Sequence, residues 1–236
     1  LKADLEKLLL GESLRYPIND NVSFKDITSS RQTIWAFLFH CGYLRAEDPE
    51  PNPLNKRQLT YRLTIPNDEV VCVYEQFIEH YFRQHQTTTE QLRSFLTCFI
   101  EDAQLPFLEE RLQDIVTGVL SYHDVGKQAE AVYHAFLLGL LINLREVYTI
   151  KSNPETGYGR ADILLIPKTT RYPKAWIIEL KSLKADEDPE QALAAAFTQI
   201  EEKAYATQLN TSGIADEHIH TLAIIVQGKR VKVQTA

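Results

Sequence analysis

The chain has 236 residues, 44% of them hydrophobic, which is enough to bury a core. It has no run of eighteen apolar residues, which argues against a transmembrane helix and for a cytoplasmic protein. Its net charge of −7 argues against a protein that coats nucleic acid through bulk electrostatics.

The three cysteines, Cys41, Cys72 and Cys98, are widely spaced and lie in apolar helical patterns. An odd number of cysteines cannot pair fully, and no Cys-x-x-Cys spacing for zinc occurs. The sequence therefore predicts buried, reduced thiols.

Residues 1–125 are predicted to be mainly helical and carry all the acidity, with 12 Lys and Arg against 19 Asp and Glu. A helix is expected from about Thr28 to Gly42. Residues 46–57 contain three prolines and are predicted to form a loop, before a short alternating strand over 58–65. Three further helices are predicted, over about 68–85, 89–103 and 108–122. We expect this region to be a helical linker or regulatory module.

Residues 126–236 are electrically neutral, with 13 basic and 13 acidic residues, so contact with a polyanion is favoured here. A helix over about 127–144 is predicted to precede three strands, and Asp188-Pro189 is expected to begin a helix that ends near Leu209. The predicted strands cover residues 146–152, 161–167, 175–183, 220–227 and 230–234. The order αβββαββ predicts an α/β (α+β) domain in which helices pack on a central mixed sheet.

The predicted strand 175–183 is apolar on both faces, which is typical of a strand in the middle of a sheet. Glu179 and Lys181 lie two residues apart and therefore point to the same face. Two charged groups at the end of a buried face are costly unless they are paired or bind a metal. A lone Glu-x-Lys on a strand is otherwise often a surface pair, so a further acid is needed to favour a functional site.

Asp162 supplies that acid if Ile166 pairs with Ala175, because the same antiparallel register places Asp162 opposite Glu179. Opposed carboxylates repel one another unless a cation lies between them. Mg²⁺ takes oxygen ligands and retains waters, so the two acids suit it, and Lys181 would lie beside a metal-bound water. The strand pair thus predicts a metal site with a cation next to it.

Asp162 followed by Glu179-x-Lys181 across a hairpin resembles the PD-(D/E)XK nuclease superfamily, which has the restriction-endonuclease-like fold. Residues 152–167 resemble the branch of the superfamily that lies C-terminal to an AAA-ATPase-like domain in bacterial proteins. Residues 133–141 resemble its first core helix, and residues 18–44 and 63–67 resemble the helical region that joins the two domains. The resemblance implies the C-terminal part of a longer protein, and this chain has no Gly-x-x-x-x-Gly-Lys-[Ser/Thr] phosphate loop.

The resemblance implies that Asp162 and Glu179 hold Mg²⁺ or Mn²⁺, with the main-chain carbonyl of Leu180 as a further ligand. Lys181 matches the lysine that orients the attacking water and balances charge at the phosphate. Glu130 matches an acid that often completes the metal site, although it can equally complement its own helix dipole. Ala161 replaces the proline of the superfamily's name.

Gln199 and Tyr205 match polar residues of the following helix. Six residues of continuous helix would separate them by about 120°, so we expect Gln199 rather than Tyr205 to face the site. Arg160 is a possible substrate contact, or a solvated side chain among glycines. His134 is expected to be a core histidine. His218 and His220 flank a strand start, where a metal role is an alternative.

These observations predict a Mg²⁺-dependent nuclease that hydrolyses phosphodiester bonds of nucleic acid, with DNA favoured over RNA but not distinguished from it by the sequence. The resemblance implies that it is linked to an upstream ATPase domain. The alternatives are a binding module that retains the fold without turnover, and an interaction scaffold whose functional part is the helical half. The sequence contains no base-reading element, so no sequence specificity is expected.

Overall fold

A computed structural model of the chain describes residues 2–18, 31–52, 55–84, 87–119, 129–153, 155–156, 159–202 and 205–236. The chain divides into two compact units, Leu1–Phe77 and Ile78–Ala236. Within the described ranges, no helix has the length and apolar character needed to cross a membrane.

The first unit combines helices with a three-stranded antiparallel sheet of order β1-β3-β2. Its elements are α1 (Lys2–Leu9), β1 (Leu14–Pro17), α2 (Arg31–His40), β2 (Arg45–Asn52), β3 (Asn55–Thr64) and the start of α3 (Asp68–Gln84). Trp35 is fully buried in its core, against Leu63 of the central strand. Apolar side chains from the helices and the sheet thus share one small core.

The loop predicted over residues 46–57 was wrong, because β2 and the start of β3 occupy most of it. Pro49 and Pro51 are tolerated since β2 lies at the edge of the sheet, where a missing N–H leaves no ladder bond unmade. A β-bulge between Glu47 and Glu50, where Asp48 has a φ of 49°, also interrupts the regular pairing of β2 with β3. The strand predicted over residues 58–65 is confirmed as part of β3.

The second unit is built on a mixed five-stranded sheet of order β10-β9-β8-β7-β4, in which β8 and β9 are parallel and the other pairs antiparallel. Its helices are α4 (Thr89–Thr97), α5 (Leu108–Val119), α6 (Ala129–Leu141), α7 (Pro189–Glu202) and α8 (Ala206–Thr211). Its strands are β4 (Tyr148–Ser152), β5 (Glu155–Thr156), β6 (Gly159–Arg160), β7 (Ile163–Pro167), β8 (Ala175–Leu183), β9 (Ile219–Gln227) and β10 (Arg230–Thr235). The predicted αβββαββ order with a mixed central sheet is confirmed.

Strand β8 is central, as its sequence predicts, and is buried from Ala175 to Leu180. Ala175 and Ile177 pack in one cluster with Ile200 of α7, so the odd-numbered residues face this helix. Trp176 points to the opposite face, where its ring meets that of Phe99, just beyond α4. Each face of β8 is therefore covered, which explains the uninterrupted apolar pattern.

Helix α5 covers the outer edge of the sheet. The N–H groups of Val231 and Val233 in β10 donate to the side chains of Gln113 and Glu109, at 2.8 and 2.7 Å. Pairing the edge donors in this way prevents them from recruiting another strand. The compact unit accordingly begins before the domain boundary predicted at residue 126, and that functional boundary stays a prediction.

Two local predictions were wrong. The single helix expected over residues 188–209 is two helices, since α7 ends at Glu202 and α8 begins at Ala206. Cys41 and Cys72 are exposed, whereas Cys98 is buried as expected. An apolar sequence neighbourhood does not by itself determine which side of a helix a small residue occupies.

Candidate active site

The carboxylate of Glu179 is the centre of the site and is 0% exposed. Lys181 Nζ donates to Glu179 Oε1 at 2.6 Å, as expected for two side chains on the same face of a strand. The side-chain amide of Gln199, from α7, donates to the same oxygen. The cation and the amide donor offset part of the cost of burying this carboxylate.

The predicted antiparallel register of β7 and β8 brings Asp162 close to Glu179. Ile163 pairs with Ile178 and Leu164 with Ile177, and continuing that register by one residue sets Asp162 opposite Glu179. Its Oδ2 accepts the main-chain N–H of Leu180 at 2.7 Å. This bond holds the Asp162 carboxylate against the backbone between Glu179 and Lys181.

The main chain at Asp162 is held by a polar cluster around His134, on α6. The Nε2 of this buried histidine lies 3.1 Å from the carbonyl oxygen of Asp162 and 3.3 Å from Ser152 Oγ. Asn153, at a φ of 47°, donates its own N–H to the same carbonyl at 2.8 Å. The prediction of a satisfied core histidine is confirmed, but sequence reasoning did not foresee that its partner is the metal-binding candidate.

In the sequence, the contact of His134 with the site is indicated only by the spacing of residues along α6. Glu130 and His134 are four residues apart on α6 and so share a helix face. A helix that directs Glu130 toward the strand pair directs His134 there as well. The two residues thus reach the site from the same side of the molecule.

Three carboxylates act on Lys181. Burial is the largest single influence and disfavours its charged form. The hydrogen bond to Glu179 and the charges of Glu179, Asp162 and Glu130 outweigh it, so the pKa of Lys181 is raised. The side chain is therefore an ammonium at neutral pH, suited to donate hydrogen bonds and balance negative charge. The same effect shows that Glu130, though exposed, acts electrostatically on the site.

Tyr205 and Gln199 meet, in contrast to the expectation from a continuous helix. The amide of Gln199 donates to Tyr205 Oη at 3.3 Å, and Tyr205 is the N-cap residue of α8 instead of a residue of α7. Tyr205 is fully buried in the cluster beneath α7. It lies behind Gln199 in the core, where it can hold the amide in place.

The backbone of Arg160 lies in β6, and its side chain lies outside the described part of the structure. Its predicted contact with substrate stays a prediction. The residues of the 152–167 motif at positions 154, 157 and 158 are also outside the described residues.

The donor set is compatible with a hard divalent ion. Asp162 and Glu179 offer carboxylate oxygens at neighbouring places, which Mg²⁺ prefers to nitrogen or sulfur. Among the described residues, no three His, Cys, Asp or Glu side chains are grouped to hold a metal. An ion here would therefore depend on two carboxylates completed by main-chain oxygen and water, as is common for Mg²⁺.

Comparison with known proteins agrees with this geometry. A family model of the PD-(D/E)XK nuclease superfamily matches residues 128–236, which contain every residue of the candidate site. This part of the chain, 109 of the 236 residues, therefore matches the superfamily model.

No curated protein matches the chain. A solved structure described as "Crystal structure of SSO0001" is similar at 14% identity and a TM-score of 0.24, over 70% of this chain and 77% of that one. A similarity at this level supports no argument about fold or function.

Proposed function

We propose that residues 128–236 form a metal-dependent nuclease that hydrolyses phosphodiester bonds of nucleic acid. The observation that carries the proposal is the buried Glu179, paired with Lys181, next to the Asp162 carboxylate that accepts the N–H of Leu180. A buried charge is costly in a purely structural role, and an ion pair could be replaced by apolar residues at little loss. The presence of all three groups in a region that matches a nuclease superfamily therefore favours a catalytic role.

Asp162 and Glu179 would hold Mg²⁺ or Mn²⁺, with the Leu180 carbonyl as a further ligand and Glu130 as an acid at the rim. When bound, the metal would supply an activated water and shield the phosphate charge. Lys181, as an ammonium, would hydrogen-bond the attacking water and stabilise charge that develops on phosphorus. In this role it is a donor and not a base.

Gln199 and Tyr205 would act as positioning residues. The Gln199 amide bridges Glu179 and Tyr205 Oη, so it fixes which carboxylate oxygen remains for the metal. His134 would do the same for Asp162 through the main chain. Metal ligands commonly need such supporting hydrogen bonds to keep their orientation.

The substrate class of the proposal is nucleic acid, with DNA favoured over RNA, and the cleavage test below distinguishes the two. A bacterial, cytoplasmic origin and coupling to an upstream ATPase domain through residues 1–125 belong to the same proposal. A fold that has lost turnover and only binds nucleic acid is the outcome to be distinguished.

The test is cleavage of labelled single- and double-stranded DNA and RNA with Mg²⁺ or Mn²⁺, with a chelator as control. We expect cleavage that needs metal and disappears in Asp162→Asn, with Asp186→Asn, at an exposed position, as the matched control. Metal-dependent thermal stabilisation of the wild type, lost in Asp162→Asn, would show the site independently of turnover. Metal binding without cleavage of any substrate would favour the binding module. The absence of both metal binding and cleavage would overturn the proposal.

A further inference from the structure

Strand β4 forms the edge of the central sheet beside the candidate active site. Among the described strands it pairs with β7 alone, in the order β10-β9-β8-β7-β4. Ser152, the last residue of β4, pairs with Ile163, which directly follows Asp162. The carboxyl end of β4 therefore lies at the same end of the sheet as the Asp162 and Glu179 carboxylates.

The pairing register decides which side chains of β4 share a face with these carboxylates. Lys151 pairs with Leu164, which lies two residues after Asp162, so these three side chains point to the same face. Leu164 in turn pairs with Ile177, two residues before Glu179. Lys151 thus belongs to the face of the sheet that contains the candidate active site.

This face is covered over the inner strands and open over β4. Leu164 of β7 is fully buried in one cluster with Leu209 of α8, and Ala223 of β9 is fully buried beneath α7. Thr149 and Lys151, the two β4 residues that point to this face, are both exposed. The face is therefore open to a large substrate on the β4 side and closed on the β9 side.

The Lys151 ammonium is available to a phosphate. Lys181 already donates to the buried Glu179, so its charge balances that carboxylate. None of the ion pairs between described residues includes Lys151. Neutralisation of backbone phosphates by Lys and Arg supplies most of the sequence-independent affinity for nucleic acid. A substrate held at the carboxylates would need such a cation for the phosphates that flank the scissile bond.

The spacing of the strands suits this contact. Strand β4 lies two strand spacings from β8, which is roughly 10 Å. Successive phosphates of one nucleic acid strand rise by roughly 3.4 Å along the helix axis. Lys151 is therefore placed for a phosphate about three nucleotides from the bond that would be cut.

An exposed lysine on an edge strand also has a structural explanation, since charged side chains there discourage pairing with the edge of another sheet. A charge of either sign serves that purpose, but only a positive charge attracts phosphate. Charge reversal at Lys151 therefore distinguishes the two roles.

We propose that Lys151 binds a backbone phosphate of the nucleic acid substrate, which crosses β4 to reach Asp162 and Glu179. The inference rests on the proposed nuclease function and adds the path of the substrate to it. Lys151 would act through charge on affinity and position, without reading the sequence of the bases.

The test measures binding of the labelled DNA and RNA oligonucleotides of the cleavage assay to the full chain, with a chelator present so that none is cut. For the nucleic acid that the wild type binds, Lys151→Gln should weaken binding roughly fivefold at low salt, the upper end for one exposed charge contact. The slope of log affinity against log salt should become shallower by about 0.7–0.9.

Lys151→Glu should weaken binding further, and Lys151→Arg should bind like the wild type. Lys168→Gln is the matched control, because Lys168 is exposed beyond the other end of β7 and should not contribute. With metal present, Lys151→Gln should raise KM by a larger factor than it lowers kcat, since the lost contact holds the substrate before and during the reaction.

Wild-type affinity and salt slope in both Lys151→Gln and Lys151→Glu would overturn the inference, and metal-dependent cleavage by the wild type would then leave the proposed function intact. An equal loss in Lys168→Gln would also overturn it, because the effect would come from net charge instead of a particular contact. If the wild type neither binds nor cleaves nucleic acid, the proposed function is wrong and the inference with it.

Discussion

Two ion-paired groups show how differently charge is used in the two units. On the sheet of the first unit, Arg62 contacts Asp48 at 2.7 Å and Glu47 at 2.8 Å, and the Arg62 and Asp48 side chains are 38% and 58% exposed. In the second unit, Lys181 contacts Glu179 at 2.6 Å, and Glu179 is fully buried. The distances are similar, but the surroundings are not.

The comparison shows that burial, rather than contact distance, separates a surface pair from a site. Exposed pairs contribute about 0–1 kcal/mol because water and salt screen them. A buried pair costs desolvation, and removing one partner leaves an uncompensated charge, which costs roughly 3–5 kcal/mol. Four predictions test this difference.

The largest effect is expected for Lys181→Met. Loss of the ammonium should reduce metal-dependent cleavage about 10²–10³-fold, the usual cost of removing one donor that stabilises transition-state charge. Single-turnover cleavage of labelled DNA measures it, with Lys168→Met as the control. Metal should also stabilise this variant more than the wild type in a thermal melt, since Glu179 has lost its cation. A loss of activity below about tenfold would contradict the assigned role of Lys181.

The second-largest effect is expected for Gln199→Ala. It removes a donor from the buried Glu179 carboxylate, and we expect a loss of roughly 1.5–3 kcal/mol in the free energy of unfolding. Urea denaturation without metal measures the change. Gln191→Ala, exposed on the same helix, is the control and should be near neutral. If the two variants are equally stable, the amide of Gln199 does not support Glu179.

His134→Phe should weaken metal binding about 10–100-fold, the cost typical of losing a group that orients a ligand. The phenyl ring fills the space but cannot hold the Asp162 carbonyl. Metal titration followed by thermal shift measures the affinity. His134→Gln, which keeps an amide donor, should recover part of it. If His134→Phe and His134→Gln bind metal with equal affinity, the hydrogen bond of His134 does not support the site and the residue has a packing role only.

Arg62→Ala should have the smallest effect, at most about 1 kcal/mol on stability, because its partners are exposed. Cleavage should be unchanged. Urea denaturation at low and high salt tests the claim, and the difference from wild type should shrink as salt rises. A loss above about 2 kcal/mol in the free energy of unfolding would contradict the comparison, since exposed and buried ion pairs would then contribute equally to stability.

Much of the second unit could be predicted from the sequence. The continuous apolar run of β8 identifies a strand buried on both faces, and the two-residue spacing at its end places Glu179 and Lys181 on one face. The register that opposes Asp162 and Glu179 follows from a hairpin around residues 168–174 and agrees with the observed pairing. These features depend on alternation along neighbouring segments, which is a local property.

Other features could not be predicted in this way. Strand β2 exists because β3 offers it an edge partner, despite its prolines. Gln199 reaches both Glu179 and Tyr205, which belong to different elements, since α7 ends at Glu202 and Tyr205 caps α8. Each outcome depends on where a helix or strand ends, which a short sequence window specifies poorly.

The sequence alone determined the order of elements, the central strand and the strand register that leads to Asp162 and Glu179, because side-chain alternation is encoded residue by residue. Only the tertiary structure decided which groups support those acids and where the pocket beside Lys174 forms. Lys174, His218 and Asp102 are far apart along the chain, and packing of the sheet against its helices brings them together. Contacts between residues that are distant in the chain form through packing of the core, and a local sequence pattern does not specify them.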